Sequence, residues 1–330
     1  MKQKKMNPLV RYLKNYSGIL VALFVICLAL ALTTETFLTP KNLINILRQI
    51  SINALIAFGM TMLIIVGGID LSVGGVCAMS GCCVVVLINA GVPIFAAVLL
   101  ALLLGAVCGL LNGLLVTKVG IMPFVVTLST CGVFKGLGYM ISGGKSVACK
   151  VEAFSYLGTG YIGVIPVPVI IMLIVMFICY IIMNKTVLGQ QIYAAGGNDQ
   201  ASRYSGINTN RIRRICYVIS AVLASLAGVI LASKMYSGQP SVGTGYEGDA
   251  IAASVLGGVS MLGGFGSIGG TMIGSIVIGV ISNGMNLLGF DYPWQLIIEG
   301  GIVLLAVAID TAKKQKFFEK CFASLRKHKA

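Results

Sequence analysis

Apolar runs of roughly bilayer length follow one another through this chain, and charged residues gather at their ends. A helix made from such a run has no polar face to show to water. It must be buried in a large core or set in lipid. Composition decides between the two. Only 10% of the 330 residues are charged and 57% are hydrophobic, against about 25% charged in an ordinary soluble domain. So few charges cannot cover a soluble protein of this size. The sequence therefore reads as all-α, a polytopic integral membrane protein, and excludes a soluble enzyme or a nucleic-acid-binding domain.

Hydropathy places ten candidate spans: 18–36, 43–66, 71–88, 93–116, 123–141, 164–183, 214–236, 249–261, 266–288 and 293–310. The eighth is short and rich in glycine. A polar stretch, 184–210, separates the sixth from the seventh. The first run, with basic residues before it and Ala29-Leu30-Ala31 near its end, imitates a cleavable signal peptide. Further spans follow it, so an uncleaved first helix is expected. The whole chain, 1–330, reads as one transmembrane domain. Its expected aqueous parts are a cytoplasmic segment 1–17, a cytoplasmic loop 184–213 and a basic cytoplasmic tail 311–330.

The net charge of +14 fits this arrangement. Basic residues precede the first span (Lys2, Lys4, Lys5, Arg11, Lys14), follow the fourth (Lys118), fill the central stretch (Lys185, Arg203, Arg211, Arg213, Arg214) and crowd the tail (Lys313, Lys314, Lys316, Lys320, Arg326, Lys327, Lys329). With ten spans all of these face the cytoplasm, as the positive-inside rule requires. Only Lys41, Arg48, Lys135, Lys145, Lys150 and Lys234 fall elsewhere. Lys135 and Lys234 are expected to snorkel from helix ends. Attraction to membrane lipid headgroups is a second use for the basic clusters.

Metal and nucleotide chemistry have little to build on. The single histidine, His328, is in the tail, and no cysteine pair has Cys-x-x-Cys spacing. Cys27, Cys77, Cys82, Cys83, Cys108, Cys131, Cys179 and Cys216 lie in or beside apolar runs and read as small hydrophobes. Gly243 to Gly248 and Gly264 to Gly269 match Gly-x-Gly-x-x-Gly, but neither follows a strand within a βαβ unit. Gly143-Gly144-Lys145-Ser146 imitates the end of a phosphate loop, but its upstream glycine, Gly138, is one position too far. No catalytic constellation, no cofactor site and no ATP-hydrolysing site is expected on this chain.

The 42 glycines need another explanation. Gly105, Gly109 and Gly113, and again Gly266, Gly270 and Gly274, repeat every four residues. That spacing predicts close helix packing. The pairs Gly67-Gly68 and Gly257-Gly258 predict breaks in helices, where freed backbone groups line a cavity. The short runs around them, Val66 to Ile69 and Leu256 to Val259, resemble one another. Of the acidic residues, only Asp70, Asp249 and Glu299 approach the depth of the spans. Asp70 and Asp249 sit by helix breaks, where capping a helix N-terminus is the simpler role.

Three motifs carry a resemblance. Ile64 to Gly74 (Ile-Ile-Val-Gly-Gly-Ile-Asp-Leu-Ser-Val-Gly), Leu110 to Val116 with Met122 to Leu128, and Tyr193 to Ile207 are similar to the sugar-type permeases of bacterial ATP-binding cassette (ABC) importers, the ribose permease group. Gly245 to Ala253 and Asn283 to Gly289 also match it. The resemblance covers residues 40–310. It implies a homodimeric permease in the bacterial inner membrane that carries a simple sugar, a pentose such as ribose, inward. It also implies three partners: an ABC ATPase subunit, often with two fused nucleotide-binding domains, an extracytoplasmic sugar-binding protein, and a second permease copy. Nucleic acid is not among them. Permeases for nucleosides, branched-chain amino acids or a signalling sugar stand nearest, and an ion-coupled carrier is the rival from another class.

In the central stretch Asn198 is a fair N-cap for a short helix over 199–205, and Gly206 is suited to end it. The resemblance makes this the coupling helix that meets the ATPase, with Asn198, Asp199, Ala201, Arg203, Ser205 and Gly206 as its residues. A sugar pathway needs hydrogen-bonding groups within the spans. Asn53, Thr61, Asn112, Thr127, Ser129, Asn283 and Asn286 are the polar candidates, beside the helix-break residues Gly67, Gly68 and Asp70. Hydroxyls in membrane helices commonly bond their own backbone, and asparagines commonly join helices. That is the competing role for each.

Overall fold

A computed structural model describes residues 16–291, 293–305, 307, 308 and 311. The basic segment expected at 1–17 and the tail expected at 311–330 lie almost wholly outside the described residues. The chain is a helical bundle in which α1 (Ser17–Thr33), α2 (Pro40–Ile65), α3 (Val73–Asn89), α4 (Ile94–Leu114), α5 (Pro123–Ser142) and α6 (Val167–Lys185) precede two short helices, α7 (Val187–Gly197) and α8 (Asp199–Tyr204). Then follow α9 (Thr209–Lys234), α10 (Tyr246–Leu256), α11 (Ile268–Leu287) and α12 (Pro293–Leu305). The strands among the described residues are two-residue pieces. Val147–Ala148 pairs antiparallel with Ser237–Gly238, and Tyr161–Ile162 pairs with Ile165–Pro166. Neither Gly-x-Gly-x-x-Gly match stands in a βαβ unit.

Among the described residues six helices are long and apolar enough to cross a membrane: α2, α4 with its terminal turn to Val119, α5, α6, α9 and α11. Helices α1, α3 and α12 are apolar but shorter. Helix α10 has 11 residues, about 16 Å, roughly half the hydrocarbon thickness. The chain is therefore a polytopic helical membrane protein.

Two helices form the axis. Residues 50–65 of α2 are all buried, and α9 is buried along most of its inner length. Around them α4, α5 and α6 turn large apolar side chains outward, among them Leu103, Val107, Val133 and Phe177. Such a ring cannot face water and suits lipid.

The starts of α2, α9 and α11 follow their caps. Thr39 accepts from the Asn42 N–H, with Pro40 at the first helical position, and so opens α2. Asn208 accepts from Arg211 and opens α9, and Ser267 accepts from Gly270 and opens α11.

The glycine seams pack as expected except at Gly266, which precedes α11 in extended, positive-φ backbone (φ +155°) and faces Val259 and Ile65. A Cβ on Gly105 would meet Ser225, on Gly109 the carbonyl oxygen of Tyr217, and on Gly113 the Cα of Arg214. The first partners fall along α9 in reverse order, so α4 and α9 run antiparallel at close approach. Gly274 and Gly270 press in the same way on the carbonyl oxygens of Ala253 and Gly257, which joins α11 to α10.

The double-glycine breaks have matching geometry. At the end of α2, Gly67 is left-handed (φ +81°), its N–H donates to Ile64 and that of Gly68 donates to Leu63. At the end of α10, Gly258 is left-handed (φ +85°), its N–H donates to Val255 and that of Val259 to Ser254. Both are Schellman caps. The equivalence pairs Gly67 with Gly258, one residue displaced from the match that the sequence suggests. The turn positions align, not the letters.

Candidate functional site

Two features stand at opposite ends of α9. At its start lies α8. Asn198 Oδ1 accepts from the Ala201 N–H (2.9 Å) and caps that helix, and Ser205 Oγ donates to the Ala201 carbonyl (2.9 Å). Gly206, at φ +83°, ends it. Its N–H donates to Arg203, and that of Ile207 donates to Ser202. The left-handed turn is why glycine sits there. Asp199 accepts from Arg203 on its own helix and from Arg213 on α9, both at 3.0 Å. Arg203 Nε donates to Thr209 Oγ1 (3.0 Å) and its Nη2 to Asn210. The expected six residues therefore form one unit clamped to the first turns of α9. Ala201 and Tyr204 remain exposed on it, Tyr204 almost completely.

Helix α7 braces this unit on the inside. Gly196 lies against the Ile65 carbonyl at the end of α2, and Tyr193 OH donates to the Gly266 carbonyl before α11 (2.9 Å). Burial pushes the Tyr193 phenol above its ordinary pKa.

At the other end of α9, whose 26 residues span about 39 Å, a cavity of roughly 380 Å³ opens. It is lined by Gln49, Ile52 and Asn53 of α2, Leu231 and Lys234 of α9, Thr244, Tyr246 and Asp249 at α10, Ser282 and Asn286 of α11, and Gln295 and Glu299 of α12. Most of the wall carries hydrogen-bonding groups. Asn53 Nδ2 reaches Asp249 Oδ2 at 3.5 Å, and Gln295 Nε2 donates to Asn286 Oδ1 at 3.0 Å. Lys135 Nζ donates to Thr244 Oγ1 (2.6 Å).

Of the pathway residues expected from sequence, Asn53 and Asn286 reach this cavity; the others do not. Asn283 and Asn42 exchange amide hydrogen bonds of 2.9 and 3.1 Å and join α11 to α2. Thr127 donates to the Pro123 carbonyl of its own helix. Thr61 meets Thr271 and Ser254 in a hydroxyl cluster between α2, α11 and α10. Asp70 lies fully buried in the turn after Gly67 and Gly68, where its Oδ1 accepts from the Ser72 N–H (2.9 Å) and hydroxyl (2.6 Å). Asn112 Nδ2 donates to Ser72 Oγ (2.8 Å), and Tyr217 OH donates to the Ile69 carbonyl (3.1 Å). These bonds fasten the break to α4 and α9 rather than opening it.

Gln49, Lys234, Thr244, Ser282 and Gln295 were not among the expected pathway residues. Lys234 lines the cavity instead of only snorkelling. The signal was present as spacing: Gln49 with Asn53, Ser282 with Asn286, and Gln295 with Glu299 are each four apart, so each pair shares a helix face. Among the described residues no group of three or more His, Cys, Asp or Glu is placed to hold a metal ion.

Comparison with known proteins agrees with a transport role. The ribose import permease protein of Bacillus subtilis is 43% identical over 298 residues, 90% of this chain and 92% of that protein. That of Escherichia coli is 42% identical over 299 residues, 89% and 93% of the two chains. The D-allose transport system permease protein of Escherichia coli is 37% identical over 310 residues, 93% and 95%. No solved structure matches the chain. A family model matches residues 42–307, which takes in α2 to α11, the capped unit and the cavity's other walls. The chain thus belongs to the family of the branched-chain amino acid transport system / permease component.

Proposed function

We propose that this chain is the permease subunit of an ABC importer for ribose or a closely related monosaccharide. The observation that carries the reading is the polar cavity at one end of α9 with the capped α8 unit at the other. A sugar is recognised by convergent donors and acceptors, and this wall supplies amides, hydroxyls, carboxylates and one ammonium. The named relatives act on ribose and D-allose. The family description names branched-chain amino acids. A zwitterion would find Lys234 opposite Asp249 and Glu299, but its aliphatic side chain would find only Ile52, Leu231 and the Tyr246 ring.

The chain is a permease and not an enzyme; ATP hydrolysis belongs to a separate ABC subunit. Its residues bind and pass the solute, and α8 receives the force. Ten spans, with both termini in the cytoplasm of a bacterial inner-membrane protein, put α8 inside and the cavity outside. The α8 residues Asn198, Asp199, Ala201, Arg203, Ser205 and Gly206 dock the ATPase. A sugar-binding protein delivers to the cavity, and two copies of the chain frame the pathway. Asp199 locks α8 to α9, so a tilt of α8 moves α9 and its cavity residues Leu231 and Lys234.

The test has two parts. Purification of the tagged chain in mild detergent is expected to bring down a nucleotide-binding ATPase in near-equal amount. Vesicles holding that complex, supplied with the binding protein, are expected to take up ribose only with ATP. Uptake that needs an ion gradient and no ATPase would establish a carrier instead.

A further inference from the structure

A groove of roughly 440 Å³ runs along the seam of α4 and α9, lined by Leu110, Ile215, Val218 and Ile219, with Arg211 and Arg214 at one end. Neither arginine pairs with a carboxylate among the described residues. The ion pairs seen there use Arg203 and Arg213. Arg214 Nε donates only to the Asn210 carbonyl (3.2 Å). The turn Leu115–Val119 packs against α9 nearby and carries Lys118, exposed and likewise without an acidic partner. In the other direction the apolar floor continues into the outward side chains of α4, Val107 and Leu103.

An apolar track of this kind with guanidinium groups at one end has the polarity of a phospholipid, tail along the helices and headgroup at the bundle's end. We infer that the groove holds one phospholipid with an anionic headgroup, its phosphate held by Arg211 and Arg214 and one acyl chain against Val218 and Ile219. Charge selects among the occupants. The chain's own segments 1–15 and 312–330 are strongly basic, so the arginines repel them. A second copy of the chain would present that same basic end. The groove starts at the turns to which α8 is clamped, so a lipid there braces the α8 end of the α4–α9 seam. The inference does not depend on which solute the cavity takes.

The test uses the full-length chain in nanodiscs of phosphatidylcholine with a minor share of phosphatidylglycerol. Native mass spectrometry then reads the lipid retained after release. Phosphatidylglycerol is expected to be retained in preference to phosphatidylcholine. Arg211→Gln and Arg214→Gln are expected to weaken that preference about fivefold each, roughly twenty-five-fold together. Val218→Trp, which fills the groove and leaves both charges, is expected to abolish it. Equal retention of the two lipids by the unmodified chain would overturn the inference, and this needs no variant to fold. A preference that survives both the double arginine change and Val218→Trp would overturn it too.

Discussion

Asn283 and Asn286 stand one helical turn apart and do different work. Asn283 is locked in a reciprocal pair with Asn42, while Asn286 faces the cavity. Asn283→Leu leaves the buried Asn42 Oδ1 without its donor, while Nδ2 keeps the Phe37 carbonyl; the orphaned oxygen costs about 1–3 kcal/mol. Thermal unfolding of the purified chain is expected at lower temperature, with the KM for sugar unchanged. Asn53→Leu and Gln295→Leu remove donors from the cavity wall. Uptake efficiency, kcat/KM, is expected to fall about tenfold for each, the effect of a lost hydrogen bond to a solute. ATPase binding is expected to stay as it was. The two asparagine types look identical in sequence because local context does not say which neighbour a membrane amide meets.

The elements were more legible than the site. Helix starts and stops depend on groups within one turn, so Asn198 and Gly206 announced α8 directly; hydropathy placed the start of α2 at 43, and the Thr39 cap with Pro40 sets it at 40. The glycine rows of α4 and α11 also announce their packing, because only a missing side chain admits a backbone that close. Gly109→Leu and Gly274→Leu must push apart two backbones already in contact. Each is expected to cost about 3 kcal/mol, read as loss of monodisperse protein on size exclusion. The clamp on α8 acts differently. Asp199 and Arg203 are 31% and 49% exposed and Arg213 is 25% exposed. Ion pairs this open contribute at most about 1 kcal/mol. Asp199→Asn and Arg213→Gln are therefore expected to leave the unfolding temperature nearly unchanged. Both are expected to lower sugar-stimulated ATP hydrolysis severalfold in the assembled importer; Arg213→Gln, outside the docking residues, still binds the ATPase, and Asp199→Asn binds it more weakly.

Seen whole, the molecule has a cavity at one end and the α8 unit at the other, held apart by the length of α9. Topology can be checked on that axis. Cys149 lies in the segment between α5 and α6, at the same end as the cavity, beside the strand pair of Ala148 and Ser237. A membrane-impermeant maleimide is expected to label Cys149 from outside intact cells. It is expected to label Ser205→Cys, in a background with Cys149→Ser and Cys321→Ser, only in inverted vesicles. Labelling of both from one side would overturn the orientation.

The apolar runs and their charged borders were enough to determine a helical membrane protein, because burial in lipid depends on what each segment is made of. Caps and glycine rows likewise determined the α8 helix and the two seams, because their causes lie within a few residues. The polar cavity was decided by the tertiary structure alone. Its wall draws on five helices spread from Gln49 to Glu299, and a polar residue becomes part of a pathway only when four others converge on it. Helices α2, α11 and α12 each contributed a polar pair of the kind that elsewhere in this chain merely joins neighbours. Only packing separates Asn286 from Asn283 and Asn53 from Asn42, and packing is a property of the whole bundle.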